Sequence, residues 1–186
     1  MTRSGGPGLQ LAPTTDPGAL QRAFGCFPSG VAAVCADVGG TLTGMAISSF
    51  TSVSLDPPLV SVCADRSSAT WPVLRSAPRL GVSILGDTHG EVCRRLASRT
   101  GDRFAGVSVE RCASGAVLLH GAAAWLEAAV ATEVPAGDHL VVLLRVLALA
   151  ADPEVPPLLF HTSAFRQVGP VAEASSRVLR RHVRVT

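Results

Sequence analysis

Short blocks of apolar and β-branched residues recur along this chain, separated by glycine and proline. Val31–Asp37 is a β-rich run that ends at Gly39-Gly40, a hairpin signal. The return strand is predicted over Leu42–Ser52. After Pro57-Pro58 comes a short apolar strand, Leu59–Cys63, and Arg79–Leu85 reads as another. Three further β-like segments follow: Ala116–Val134, Leu140–Ala150 and Leu158–His161. Within the first of these, Ala122–Ala131 is Ala-rich and on its own passes equally for a helix; its setting among strands favours strand.

Helical spacing is confined to three short stretches. Asp16-Pro17 reads as an N-cap followed by proline at the first helical position. Leu20, Ala23, Phe24 and Phe27 then mark one apolar face before Pro28 stops the helix. Ser67–Arg75 fits one or two turns around Trp71. Thr88 and Glu91 have capping-box spacing for a helix through Ala97, followed by a loop over Gly101–Glu110. Six or seven strands joined mostly hairpin to hairpin, with three short helices, predict a mainly β fold: an antiparallel barrel with helices at its ends. One domain is expected over residues 16–168. Residues 1–15, rich in Gly, Pro, Thr and Ser, are expected to be disordered, and 169–186 to form an Arg-rich tail.

Composition removes several function classes. The 186 residues are 47% hydrophobic and 16% charged, enough apolar surface for a real core. All 16 basic residues are arginine, so neither Schiff-base chemistry nor a phosphate-loop lysine is available. A net charge of +2 does not suggest a nucleic-acid surface, and Arg177, Arg180, Arg181 and Arg184 read as a solvated end. Cys26, Cys35, Cys63, Cys93 and Cys112 are odd in number and form no CxxC pair, so all five are read as small buried hydrophobes. The five histidines lack metal-ligand spacing, and no metal is expected. The longest apolar run, near Leu140–Ala151, is broken by Arg145 and falls short of the ~20 residues of a membrane span. Residues 1–8 lack the apolar core of a secretory signal. A cytoplasmic protein is the expectation.

Five stretches carry candidate chemistry. Gly44–Val60 is dense in small hydroxyl residues and closes on the double proline, with Ser48 and Ser52 expected on one face of a strand. It reads either as a half-solvated strand or as a polar lining for a flat ligand. In Asp65-Arg66-Ser67-Ser68-Ala69-Thr70, hydroxyls precede a predicted helix. That is an ordinary N-cap or an anion site, where Arg66 adds a charge-assisted bond. Arg103-Phe104, inside Gly101–Val107, is a packing anchor or a stacking and anion-binding pair. Gly137-Asp138-His139 is a turn or a placed imidazole. Pro157–Arg166 is a core strand with Phe160 as an aromatic plug, and Phe165 a possible pocket wall. No GxGxxG fingerprint occurs, so a dinucleotide would bind without a Rossmann crevice.

These five stretches, in this order, resemble the flavin reductase-like family, the short-chain reductases of two-component flavin monooxygenases. The family pattern G-[MF]-T-A-[NS]-S-F-x-S-V-S-x-x-P-P-L is met at Gly44, Met45, Ser48, Ser49, Phe50, Ser52, Val53, Ser54, Pro57, Pro58 and Leu59. It is departed from at Ala46, where Thr is usual, and Ile47, where Ala is usual. Those changes remove a hydroxyl and add bulk near the expected ligand. The resemblance covers residues 18–168 and implies an FMN-binding split β-barrel, antiparallel and Greek-key-like, working as a homodimer. It implies an NAD(P)H-dependent flavin reductase passing hydride from nicotinamide to FMN or FAD, with NADH favoured because no basic pair marks a 2′-phosphate. The reduced flavin would supply a partner monooxygenase.

By the same resemblance, Met45, Ala46, Ile47, Ser48, Ser49, Ser52 and Cys63 would lie along the flavin. Arg66, Ser67, Ser68 and Thr70 would hold its phosphate. Arg103, Phe104 and Phe165 would border it, and His139 would meet the nicotinamide as the catalytic imidazole. Two rivals stay open: a repurposed pocket acting on a metabolite, and a non-catalytic flavin or haem carrier.

Overall fold

The computed structural model describes residues 11, 13 and 15–169; the tail from 170 onward and most of the first fifteen residues lie outside the described residues. In chain order the strands are β1 (Ser29–Gly30), β2 (Ala32–Val38), β3 (Thr41–Ile47), β4 (Thr51–Leu55), β5 (Pro58–Asp65) and β6 (Leu80–Ile84). They continue as β7 (Val109–Arg111), β8 (Val117–Leu119), β9 (Ala124–Ala136), β10 (His139–Ala151), β11 (Leu159–His161) and β12 (Ala164–Arg166). Three helices join them: α1 (Pro17–Gly25), α2 (Trp71–Leu74) and α3 (Gly90–Ala97).

The hairpin predicted at Gly39-Gly40 forms. Both glycines take positive φ, +61° and +85°, a pair of left-handed residues that suits a two-residue turn. The turn sets β2 against β3 with Ala32 opposite Ile47. The long return strand is broken, however: β3 ends at Ile47, and Ser48-Ser49-Phe50 lead into β4. This break shapes the molecule. The main sheet has the order β3-β2-β6-β9-β10-β5-β4, every pair antiparallel, so its two edge strands are neighbours in sequence. Three residues cannot cross an open seven-stranded sheet, so the sheet must curl until its edges approach. The Ser49 hydroxyl secures the corner, accepting from Cys63 N on β5 at 2.8 Å.

Strand periodicity then sorts the side chains. Ala32, Val34 and Ala36 of β2, Val60, Val62 and Ala64 of β5, Leu80 and Val82 of β6, and Val142 and Leu144 of β10 fill the barrel interior. Trp71 and Leu74 of α2 close one part of it, and Trp71 Nε1 donates to Glu133 Oε1 at 2.8 Å. The opposite face of β2, with Ala33 and Cys35 and the preceding Val31, packs under Cys93 and Leu96 of α3 and Val117 and Leu119 of β8. Two cores thus share β2 as their common wall.

The structure corrects several expectations. The 116–134 segment is two strands, split where Gly121 takes φ +78°. The Ala-rich Ala122–Ala131 stretch is strand from Ala124 onward, as its setting suggested. No Thr88–Glu91 capping box forms. A 3-10 turn over Asp87–His89 precedes α3, and the buried His89 ring accepts Gly86 N–H at 3.0 Å instead. The apolar face of α1 buries no residue, leaving Phe24 and Phe27 exposed. Of the five thiols only Cys35 and Cys93 are buried; Cys26 is exposed.

Candidate functional site

Along β3, Met45 and Ile47 pack on the barrel interior while Gly44 and Ala46 face α3. Two adjoining cavities lie on that outer side and share Ala46 and Ala97. One, of about 220 Å³, is apolar, walled by Val31, Cys93, Phe160 and Phe165 together with Ser48 and Arg94. The other, of about 380 Å³, is polar and is lined by Asp65, Ser67, Ser68, Thr70, Arg99 and Arg103. Two alanines at the join leave a slot that larger side chains would fill.

The polar cavity is held by a closed set of bonds. Arg103 Nη1 donates to Gly44 O at 3.0 Å and to Thr70 Oγ1 at 2.6 Å. A guanidinium has five N–H groups, so donors remain for an anion. Ser67 N and Ser67 Oγ each donate to Asp65 Oδ1 at 2.7 Å. The hydroxyl bond, then the amide bond, hold the Asp65 carboxyl below the usual carboxylate range, with weaker help from His139 and Arg99. Ser68 Oγ accepts from Thr70 N and Trp71 N at 3.2 Å. Ser68 thus satisfies the amides leading into α2, whose N-cap position is Thr70 and carries no side-chain cap bond. Those amides are already engaged, so anion binding here falls to the arginines and the remaining hydroxyl capacity.

At the apolar end, β11 and β12 form a hairpin whose turn residues, Thr162 and Ser163, have φ +47° and +61°. The hairpin carries Phe160 and Phe165, their rings edge-on with centroids 5.7 Å apart. The Arg94 guanidinium lies 5.1 Å over Phe165, within cation–π range. Phe160 is thus a partly exposed wall and no core plug.

The flavin reductase like domain model matches residues 24–169, which span both cavities and every strand from β1 to β12. The chain belongs to the flavin reductase like domain family. A flavin reductase of Pseudomonas putida is 38% identical over 151 residues, covering 81% of this chain and 89% of that protein. The actinorhodin polyketide dimerase of Streptomyces coelicolor is also 38% identical over 151 residues, covering 81% and 85%. The solved NADH:FAD oxidoreductase of Streptomyces globisporus C-1027, in complex with NAD and FAD fragments, superposes with a TM-score of 0.82 at 35% identity. It covers 89% of this chain and 100% of that one.

Within this flavin reductase-like fold, the candidate residues separate into those at the cavities and those beside them. Met45, Ala46, Ile47, Ser48, Ser67, Ser68, Thr70, Arg103 and Phe165 line one or both. Ile47 is 7% exposed and sits in the barrel core, so most of its bulk is absorbed away from the slot. Ser48 lies in the break after β3 and Ser52 on edge strand β4, so they share no strand face. Ser49 and Cys63 bond to each other. Arg66 turns to the β9–β10 hairpin, its Nη1 donating to Gly137 O at 3.3 Å. Phe104 packs in the second core, against the outer face of Gly44.

His139 opens β10 opposite Asp65, with Nδ1 2.7 Å from Asp138 Oδ1; it stands beside the polar cavity, outside its lining. Arg99, Cys93, Arg94, Leu96 and Ala97 were not singled out as ligand contacts in the sequence. Their helical spacing was visible, but an α3 face of small apolar residues reads as core until its partner strand is known.

Proposed function

We propose that this chain is an NAD(P)H-dependent flavin reductase that binds flavin in the slot between β3 and α3. The carrying observation is the pairing of an apolar cavity with a polar one that presents two arginines. That division suits a flavin, whose planar ring is largely apolar and whose side chain is a polyol ending in phosphate. When bound, the flavin supplies the redox chemistry by accepting hydride at N5 from the nicotinamide C4.

The protein's part is binding and alignment. Ala46 and Ala97 leave room for the ring, and Phe160 and Phe165 close its far side. Arg103, pinned at two acceptors, and Arg99 neutralise the phosphate. Ionised Asp65 takes hydroxyl donors of the side chain. His139 approaches the nicotinamide from the rim, its ring oriented by Asp138. Replacing His139 by Ala is expected to lower turnover with NADH more than it weakens flavin binding; unchanged steady-state rates would remove it from the site.

Released reduced flavin would serve a partner monooxygenase. Among the described residues no helix is long and apolar enough to cross a membrane, and a cytoplasmic setting fits that use. Exposed Val53 and Leu55 on β4, with Leu147 and Leu149 on β10, support a homodimer. One observation favours a second reading: a polyketide dimerase shares the same 38% identity over 151 residues as a flavin reductase. A pocket repurposed for a metabolite would fail to bind flavin at micromolar concentration. The test is NADH and NADPH oxidation by the purified chain with riboflavin, FMN or FAD. Rapid flavin-dependent oxidation is expected; none with any pair would overturn the reading.

A further inference from the structure

Towards its hairpin end, β9 carries an extra residue. Thr132 stands opposite Leu143 and Val130 opposite Leu144, which leaves Ala131 without a partner on β10. Such a bulge reverses the face that the following side chains take. Ala128 and Val130 face the barrel interior before it, and Glu133 faces that way after it, opposite the buried Val142. A carboxylate turned inward needs partners, and Glu133 has one for each oxygen. Oε1 accepts the indole N–H of buried Trp71 at 2.8 Å, and Oε2 lies 3.0 Å from Arg75 Nη2. Trp71 opens the short helix α2 and Arg75 is its C-cap, so one carboxylate holds both ends of that helix. A second grip lies upstream. Arg66 N donates to Asp138 O at 3.0 Å, and Arg66 Nη1 donates to Gly137 O. The 66–75 segment is therefore fastened to the β9–β10 hairpin at both ends. Between the grips stand Ser67, Ser68 and Thr70, the hydroxyl wall of the polar cavity.

We infer that Glu133 is a positioning residue for the phosphate end of the site, acting through α2 and Thr70 on Arg103. The inference rests on the reductase reading above. Glu133 lines neither cavity of the site. Thr70 is the N-cap of α2, and its carbonyl accepts from Val73 N and Leu74 N. Its hydroxyl makes no cap bond and accepts from Arg103 Nη1 instead, at 2.6 Å. Where α2 sits thus decides where Thr70 Oγ1 sits. Thr70 Oγ1 and Gly44 O together decide where the guanidinium points. An arginine already held in place loses less freedom on meeting a phosphate, so its placement adds affinity only for flavins that carry one. Riboflavin carries none. The hairpin that bears Glu133 also bears His139, the first residue of β10, so one element sets both the phosphate wall and the imidazole.

The experiment measures dissociation constants of riboflavin and FMN, by flavin fluorescence, for the full chain and its variants. Glu133→Ala leaves the Trp71 indole without its acceptor and Arg75 without its ion pair. Glu133→Gln keeps an acceptor for Trp71 and drops the charge opposite Arg75. Thermal unfolding checks that each variant folds. Glu133→Ala is expected to weaken FMN about tenfold and riboflavin by less than about twofold. Glu133→Gln is expected to recover most of that loss, leaving FMN about threefold weaker and riboflavin unchanged. Added to Arg103→Ala, Glu133→Ala is expected to change FMN affinity by less than about twofold, because the arginine it places is gone. A general loosening of the fold would weaken both flavins alike. Equal losses of riboflavin and FMN, no loss of either, or the full loss persisting beside Arg103→Ala would overturn the inference and leave the reductase reading in place. Should Glu133→Ala not fold, Glu133→Gln decides alone, and equal losses or none would overturn the inference. An unmodified chain that binds neither flavin would overturn the reductase reading itself, and this inference with it.

Discussion

Arg103 donates from one Nη to a β3 carbonyl and to the Thr70 hydroxyl, so two elements distant in sequence hold its guanidinium still. Arg103→Ala would remove the charge-assisted contact proposed for the phosphate and leave the ring slot intact. FMN and FAD affinity are expected to fall about tenfold or more, with riboflavin little changed. Equal losses for all three would contradict a phosphate role; titration by fluorescence decides. Cys35 offers a second test. Burial pushes its thiol up to about 12, whereas in the unfolded chain it ionises near pH 8.5. Its contribution to stability is therefore complete below about pH 8.5 and is lost as pH rises towards 12. The chain has no Lys and no Tyr, so thiols dominate this alkaline window. Denaturant unfolding across it should show stability falling, and falling less steeply in Cys35→Ala.

At the scale of elements, β3 does most to join the parts of the site. Gly44 lends its carbonyl to Arg103, and its missing side chain admits Phe104 from the 101–107 loop. A Cβ there would sit 2.7 Å from Cys35 Sγ and 2.8 Å from Phe104 Cζ. Gly44→Ala is expected to cost about 1–3 kcal/mol in denaturant unfolding and to weaken FMN by displacing that loop. Unaltered stability and affinity would show that the contact is slack. The sequence made the hairpin at Gly39-Gly40, the interior strands and the hydroxyl-rich segments readable, because each is a local pattern. It did not disclose the break at Ser48-Ser49-Phe50, since nothing local stops a strand there; sheet closure does. Nor did it show that Arg66 swings to the β9–β10 turn while Arg99 and Arg103 reach the cavity. All three are arginines in polar loops or helix ends, and only the path of the chain separates them. Ile47 is the same lesson within one strand: a residue beside the ligand segment can still spend its bulk in the barrel.

Taken as a whole, the molecule is a curled antiparallel sheet with one core inside and a second beneath α3, and the candidate site lies along the outer seam. Leu55 at 94% exposure and Leu149 at 72% are costly to leave in water, and a second copy is the occupant we propose. Light scattering is expected to give twice the 19.1 kDa chain mass, and Leu55→Glu with Leu149→Glu to shift it towards one. A monomeric unmodified chain would contradict the proposal. The central claim concerns hydride transfer, and one measurement addresses it most directly. Oxidised FAD bound to the chain is mixed with NADH in a stopped-flow instrument without oxygen, and the flavin absorbance is followed. Rapid, complete bleaching, far faster than free FAD with NADH and slowed in His139→Ala, is the predicted result. Bleaching no faster than the protein-free mixture would contradict the account.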